Sequence, residues 1–336
     1  MDVGELGEFA LIERLRATLP DQTASDLLIG IGDDAAVWRV GDSYAVATTD
    51  TMVDGVHFLS ALAPPQDVGW KALASNISDI AAMGAVPHFA LVTLCLPPDT
   101  DLSLVDRLDA GMRECAEGYG ISVAGGDVVS SPVIAVTIAL FGTAVCDGDG
   151  LPLLLRRSAA GPGDAIAVTG TLGGAAGGLR AIQSEGLLTD DLHALVRRHS
   201  RPVPRVEAGL AAIAAGVRCG IDVSDGLAQD VGHLCEASGL DAEIRVKDVP
   251  VDPALAACYP DDALELALSG GEDYELVLVA PQEKLDAVRA KLDVPLTVIG
   301  RMLETRGGTV RLLDPAGHTL KLPASGWDHF AGRGHA

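Results

Sequence analysis

Carboxylates recur in this chain at positions where a solvated charge is not expected. Asp33 and Asp34 fall in Gly30-Ile31-Gly32-Asp33-Asp34-Ala35, and Asp50 and Asp54 fall in the stretch that runs from Thr48 and Thr49 to His57. Asp79, Asp127, Asp222, Asp225, Glu272 and Asp273 then appear in apolar or glycine-rich settings. A single instance would read as an ordinary Asp-rich turn. Repetition along both halves of the chain points to one site for a hard cation. Mg²⁺ prefers oxygen, keeps several waters, and is usually held by one or two carboxylates plus substrate phosphates. Hydroxyls beside the acids (Thr48, Thr49, Ser224) and the lack of a His/Cys set suit several Mg²⁺ ions and do not suit zinc. Such a cluster repels itself without counterions, so metal and nucleotide should bind together. Phosphoryl transfer asks a protein for just this positioning and charge neutralisation.

Two better-known phosphate motifs fail on inspection. Gly30 to Ala35 spells G-x-G-x-x-A, the dinucleotide fingerprint, which lays a pyrophosphate on a helix N-terminus. Here Asp33 and Asp34 would face it, and a like-charge pair at about 4 Å costs roughly 4 kcal/mol at an effective dielectric near 20. The following residues also read as a strand. The glycines at 170, 173, 174, 177 and 178 are not a P-loop, because no Gly-Lys-Ser/Thr closes the run. They read instead as close packing of a helix on a sheet. Walker A, the kinase glycine loop, H-R-D and D-F-G are all missing, so an ATP enzyme of this kind belongs to a metal-rich class without those parts.

The elements that must position the acids follow from periodicity and breakers. An amphipathic helix is expected over 8–19, with Phe9, Ile12, Leu15 and Leu19 on one stripe and Pro20 ending it. Strands are expected over 27–31, 35–40 and 44–47, the first and last ending in carboxylates. Asp67 should cap a long helix to Met83. On it Leu73, Ile77 and Ile80 form a core stripe, and Asn76 and Asp79 share a neighbouring face among alanines. A carboxylate there is either a surface charge or a ligand aimed inward, and the alanines favour the ligand. A strand over 89–96, a helix over 102–119, a strand over 121–124 running into Gly125-Gly126-Asp127, and a strand over 133–143 complete the first half. Asp147-Gly148-Asp149-Gly150 reads as the boundary.

The second half is expected to hold a strand over 165–169 and two helices separated by Pro202 and Pro204. Asp222-Val223-Ser224-Asp225-Gly226 should open a helix over 227–238. A strand over 242–246 and a helix over 261–268 precede Ser269-Gly270-Gly271-Glu272-Asp273-Tyr274-Glu275-Leu276, which enters a strand to Ala280. A helix and two strands follow. The chain ends in Gly326-Trp327-Asp328-His329-Phe330, either a packing plug or a wall on which a ligand stacks. Strands and helices mix without strict alternation, so the expected class is α+β in two domains, 1–147 and 148–336.

Composition narrows the partners. The chain has 336 residues, 48% hydrophobic but only 4% aromatic, so its cores are built from Ala, Val, Leu and Ile. A formal net charge of -23 argues against nucleic acid and anionic membranes. No apolar run reaches transmembrane length. The six cysteines are scattered without C-x-x-C spacing, which implies a reduced, cytoplasmic protein.

Taken together, these motifs resemble one family. They are Gly-Glu-Phe at 7–9, Gly-Ile-Gly-Asp-Asp at 30–34, Thr-Asp-Thr at 49–51 and Gly-Val-His-Phe at 55–58. Asn-Ile-Ser-Asp-Ile-Ala-Ala-Met-Gly at 76–84, Gly-Gly-Asp at 125–127, Arg-Ser at 157–158 and Pro-Gly-Asp at 162–164 join them. So do Asp-Val-Ser-Asp-Gly at 222–226, the 269–276 motif and Gly-Trp-Asp-His-Phe at 326–330. From end to end the chain resembles the thiamine-monophosphate kinase family of the aminoimidazole ribonucleotide synthetase-like (PurM-like) superfamily. The resemblance implies a two-domain PurM-like architecture and a homodimer in which N-terminal domains pair their sheets. It implies ATP-dependent phosphorylation of thiamine monophosphate to the diphosphate, with several Mg²⁺ ions. It places Asp33, Thr48, Thr49, Asp50, Asp79, Asp127, Asp222 and Asp225 at metals, with Asp127 and Asp225 at the transferred phosphate. Gly126, Asp127, Arg157 and Ser224 fall at the nucleotide, and His57, Glu272 and Trp327 at the acceptor. Asp34, Asp54 and Asp273 receive no role. A ligase or selenophosphate synthetase of the superfamily, and a non-catalytic nucleotide-binding relative, are the competing readings. The first cysteine, Cys95, lies inside an expected strand, which counts against the synthetase.

Overall fold

The computed structural model describes residues 2–18, 26–184, 189–305 and 307–321, and all of these side chains except that of Phe9. The expectations for Phe9, Leu19, Pro20 and the segment from Gly326 to Phe330, Trp327 included, lie outside the described residues. No described helix is long and apolar enough to cross a membrane.

Two seven-stranded mixed sheets organise the chain. The short helices α1 (Val3–Leu6) and α2 (Glu8–Thr18) come first. The first sheet contains β1 (Leu27–Ile29), β2 (Ala36–Val40), β3 (Ser43–Val53), β4 (Ala85–Leu96), β5 (Ser122–Ser130), β6 (Ala135–Cys146) and β7 (Pro152–Leu153). Its order is β1-β2-β3-β6-β4-β5, with β7 added to β6. All pairs are antiparallel except β4 with β5. Helices α3 (Pro65–Ala82) and α4 (Leu102–Gly118) pack on one face, where Leu73, Ile77, Ile80, Leu108, Met112, Val136, Ile138 and Leu140 form the core. The opposite face is open, with Phe89, Leu91 and Val129 exposed. The expected division at 147 falls in the turn between β6 and β7, where the Asp147 N–H donates to the Leu151 carbonyl.

The second sheet contains β8 (Ala165–Thr169), β9 (Cys219–Asp222), β10 (Asp241–Arg245), β11 (Leu276–Ala280), β12 (Leu296–Leu303), β13 (Val310–Leu313) and β14 (Thr319–Leu320). Its order is β14-β13-β10-β12-β8-β11-β9. Around it lie α5 (Gly174–Gln183), α6 (Asp190–Ser200), α7 (Val206–Ala214), α8 (Leu227–Ser238), α9 (Pro253–Cys258), α10 (Ala263–Ser269) and α11 (Gln282–Arg289). Its central strands are covered on both faces. Val277 and Val279 of β11 join the core under α8, while Leu276, Leu278 and Ala280 join the core under α7 and α11. The period-two side-chain alternation of a strand splits one apolar run between two cores.

Several local expectations change. Strand β3 does not stop before the acids but carries Thr48, Thr49 and Asp50 inside it, paired with β6 from Ala45 to Val53. Asp67 is not the cap of α3: Pro65 sits in its first turn and starts the helix earlier, and the Asp67 carboxylate binds Arg201 Nε at 2.6 Å. Nor does α3 bury only one stripe, because residues all round it are buried between the two halves. The glycine run packs α5 on a helix, not on the sheet: a Cβ at Gly178 would stand 2.2 Å from the Leu195 carbonyl of α6. Gly125 to Asp127 continue β5 instead of ending it. Ile12 and Leu15 are exposed in the single chain, and three strands, not two, follow α11 among the described residues.

Candidate active site

Helix α3 is the element that assembles the site. It lies between the halves and sends polar side chains to both. The Asp50 N–H donates to Asn76 Oδ1 at 3.1 Å, and Asn76 Nδ2 donates back to the Ala72 carbonyl at 3.0 Å. Thr48 Oγ1 donates to Asp79 Oδ2 at 2.6 Å. Ser78 Oγ donates across the domain junction to Asp222 Oδ2 at 2.6 Å. In this way Asn76 and Asp79, three apart on one helix, meet a strand of the first sheet, and Ser78 between them meets the end of β9 in the second.

Asp34, Asp79 and Asp222 each offer a carboxylate oxygen within 4.8 Å of the others. Burial and the neighbouring acids raise Asp79 well above the ordinary carboxylate range. Burial, then Asp34, raises Asp222 to about 7. Arg157 is the cation beside them, its Nε donating to Asp34 Oδ1 at 3.1 Å. Burial would lower the Arg157 pKa, but the charge and hydrogen bond of Asp34, with the charges of Asp222 and Asp33, together outweigh it and the pKa rises. The other oxygen of Asp34, Oδ2, is buried and makes no hydrogen bond among the described residues. A buried carboxylate oxygen left without a donor is costly unless a cation takes it. This donor set of oxygens alone, drawn from both halves, fits a hard divalent ion.

The structure therefore brings Asp34, which received no role from the sequence, to the cluster. Asp33 instead accepts the Arg157 backbone N–H at 2.8 Å, and burial raises it to about 6. Nothing in Asp33-Asp34 itself tells which carboxylate the fold turns toward Asp79 and Asp222. A second group gathers at the start of α8, where Asp225, Asp230 and His233 also lie within 4.8 Å of one another. Asp230 Oδ2 accepts the N–H groups of Asp225 and Gly226 at 3.2 and 3.0 Å. Burial raises Asp230 well above the ordinary range and lowers His233 to about 4. Neither Asp230 nor His233 was singled out by the sequence. Their only signal was the i, i+3 spacing behind Asp225.

Two loops interlock beside these acids. The Glu272 N–H donates to the Ser224 carbonyl at 2.8 Å, and the Tyr274 N–H to the Val223 carbonyl at 2.9 Å. Gly271 permits this approach, since a Cβ there would stand 2.3 Å from the Ser224 carbonyl oxygen. Glu272 and Tyr274 take positive φ of 67° and 50°, a strain of about 1–3 kcal/mol each that persists only where the surroundings fix it. The three acids of this motif have different tasks. Asp273 accepts the N–H groups of Gly173 and Ala175 at the start of α5, at 2.6 and 3.0 Å. Glu275 is buried against Arg205 and Thr169. Glu272 keeps part of its carboxylate open and pairs with Lys71 at 2.7 Å. Burial pushes Glu272 up, but Lys71, His199 and His57 together leave it below the ordinary range, which puts His57 within electrostatic reach. His57 Nδ1 accepts the Val53 N–H at 3.0 Å, so the neutral ring carries its proton on Nε2. Asp54 is a turn acid, accepting from the Ser60 N–H and hydroxyl at 2.8 and 2.7 Å.

Gly126 and Asp127 are not brought to this cluster within one chain. They lie on β5, where Gly126 stands in the same row as Val92, Ile138 and Asp50. Three strand spacings separate that row's ends, about 14 Å along the sheet. Thr49 and Asp50 are exposed on the part of β3 that extends beyond its pairing with β2.

Residues 32–146 match the family model "AIR synthase related protein, N-terminal domain", and residues 161–313 match the corresponding C-terminal domain. The chain is 38% identical over 334 residues to the thiamine-monophosphate kinase of Escherichia coli K12, covering 97% of this chain and 98% of that one. It is 34% identical to that of Aquifex aeolicus over 334 residues, covering 98% and 100%. The solved structure "AaThiL complexed with AMPPCP and TMP" superposes with a TM-score of 0.85 at 32% identity, covering 98% of this chain and 99% of that one.

Proposed function

The chain belongs to the thiamine-monophosphate kinase family of AIR synthase-related proteins, and from that premise we propose how its residues divide the work. The enzyme phosphorylates thiamine monophosphate with ATP, giving thiamine diphosphate and ADP. The observation that carries the site assignment is the convergence of Asp34, Asp79 and Asp222 from both halves, with one oxygen of Asp34 buried and unsatisfied. These three, with Thr48, Thr49, Asp50 and Asp225, are the residues that would hold Mg²⁺. Bound Mg²⁺ would neutralise the phosphate oxygens and so permit an anion to approach an anion.

The residues of the chain align the two substrates. Arg157, fixed by Asp34, and the Ser224 loop hold the nucleotide. His57, with its Nε2 proton, and Glu272 bind the acceptor, joined by Trp327. The nucleophile is a phosphate oxygen already ionised at neutral pH, so no general base is required. Direct in-line displacement then needs only alignment and charge neutralisation. A cytoplasmic setting belongs to the same reading, supported by six cysteines that are all free.

The first sheet supports the homodimer reading. Strand β5 presents its outer edge, with every residue from Ser122 to Ser130 exposed. Beyond Ala47, β3 has no strand on its β2 side among the described residues. An exposed edge beside an apolar face is a pairing surface. A two-fold partner whose β5 lies along that part of β3 would bring its Gly126 and Asp127 to Thr49 and Asp50. The test is a product balance with ATP, Mg²⁺ and thiamine monophosphate. Thiamine diphosphate and ADP should form in equal amounts, with little free phosphate and with inversion at a chiral γ-phosphorus. Free phosphate in step with ADP, retention of configuration, or a trapped phosphoenzyme would overturn the direct-transfer reading.

A further inference from the structure

We propose that Lys71 and His199 are positioning residues for the acceptor, holding the Glu272 carboxylate with its open side toward the acceptor's cationic ring. The inference rests on the reading of Glu272 given above. Three elements converge here: Lys71 from α3, His199 from the last turn of α6, and Glu272 from the loop between α10 and β11. Lys71 Nζ lies 2.7 Å from Glu272 Oε1 and 3.5 Å from His199 Nε2. His199 Nδ1 lies 3.4 Å from Glu272 Oε2.

The exposure pattern separates this group from a plain brace. The Lys71 and His199 side chains are 4% and 10% exposed, whereas that of Glu272 is 30% exposed. The neighbouring pair Arg205 and Glu275, which ties α7 to the same motif, buries its carboxylate to 3%. Glu272 is thus backed by a cation on one side and left accessible on the other. Its backbone is also held in the left-handed region and stitched to the Ser224 carbonyl, which sets the carboxylate relative to the nucleotide loop.

The proton inventory fixes how the backing works. Lys71 has only protons to offer, so His199 Nε2 must accept, and the neutral ring carries its proton on Nδ1. Burial and the adjacent ammonium lower His199 to about 4, in keeping with a neutral ring. Nδ1 is buried and makes no hydrogen bond among the described residues, yet it faces Glu272 Oε2. A small rotation of the carboxylate completes that bond and locks both oxygens from behind. The ring cation then meets the open side of a carboxylate whose orientation Lys71 and His199 fix from behind.

The test compares thiamine monophosphate with an isosteric phosphate whose ring nitrogen is replaced by carbon, so that the ring is uncharged. Lys71→Met and Glu272→Gln should each raise the KM for the cationic acceptor about tenfold, leave the KM for ATP within about twofold, and barely change that for the uncharged acceptor. Lys71→Arg should recover part of the loss. His199→Gln, which keeps the ion pair, should raise the cationic acceptor's KM by about threefold and serves where Lys71→Met does not fold. Loss shared equally by both acceptors, or no change in the Lys71 and His199 variants while Glu272→Gln raises KM, would overturn the positioning role alone. An unchanged KM in Glu272→Gln would remove the reading of Glu272 on which the role depends.

Discussion

Asp79 and Asp222 bind their protons more tightly folded than unfolded, and this has a measurable sign. Burial raises Asp222 to about 7 against an ordinary value of 3.8. Between those limits the native state holds a proton that the unfolded chain has released. The resulting stabilisation is full below the unfolded pKa and is lost as pH rises through the folded one. In EDTA, the Tm of the wild type should therefore fall relative to that of Asp222→Asn between about pH 4 and pH 7, and Mg²⁺ should reverse the fall. Parallel melting curves would refute the assignment. Thr48 offers a subtler probe, since its hydroxyl donates to Asp79 without replacing any carboxylate. Thr48→Val should weaken Mg²⁺ activation by about 10–100-fold with little change in Tm, read from the metal dependence of the initial rate.

The crossing of α3 and α4 sets where Asn76, Ser78 and Asp79 stand. Gly111 of α4 meets the Gln66 carbonyl, and a Cβ there would lie 1.7 Å from that oxygen. Gly69 of α3 has the same relation to Leu108, at 2.0 Å. The backbones therefore touch, and no side-chain rotation can relieve an added methyl. Gly111→Ala gains about 1 kcal/mol of helix propensity. Prying the helices apart costs about 1–3 kcal/mol or more. The net effect should be destabilising, with activity falling further than stability because α3 carries residues of both substrate sites. Unchanged Tm and kcat would show that the crossing has slack.

Across the whole molecule, the two halves complete one another, and the proposed dimer would complete the site further. Asp34, Thr48, Asp50 and Asp79 come from the first half, and Arg157, Asp222, Ser224 and Glu272 from the second. Gly126 lies across the first sheet from Asp50, and Asp127 from Thr51, and a two-fold partner is the proposed source of the missing neighbour. If so, Asp50→Asn and Asp127→Asn, each inactive alone, should complement when mixed. Random exchange would leave one intact site in half of the dimers, restoring about a quarter of wild-type activity. No recovery under conditions of proven exchange would place Asp127 outside the partner's site.

The motifs along the chain already determine the family and the phosphoryl-transfer chemistry, and they name most of the residues of the proposed site. Glycine and aspartate at strand ends, a helix with Asn76 and Asp79 three apart, and Glu272 after two glycines are local patterns. Local patterns survive in one dimension because side-chain spacing on a helix or strand is fixed by its period. Tertiary structure decided what depends on direction and distance. It chose Asp34 over Asp33 for the cluster, gave Asp273 to a helix start and Glu275 to Arg205, and set Lys71 and His199 behind Glu272. A sequence lists which charges exist. Only the packing of α3 between two sheets decides which of them lose water together, and that shared desolvation makes a site out of scattered acids.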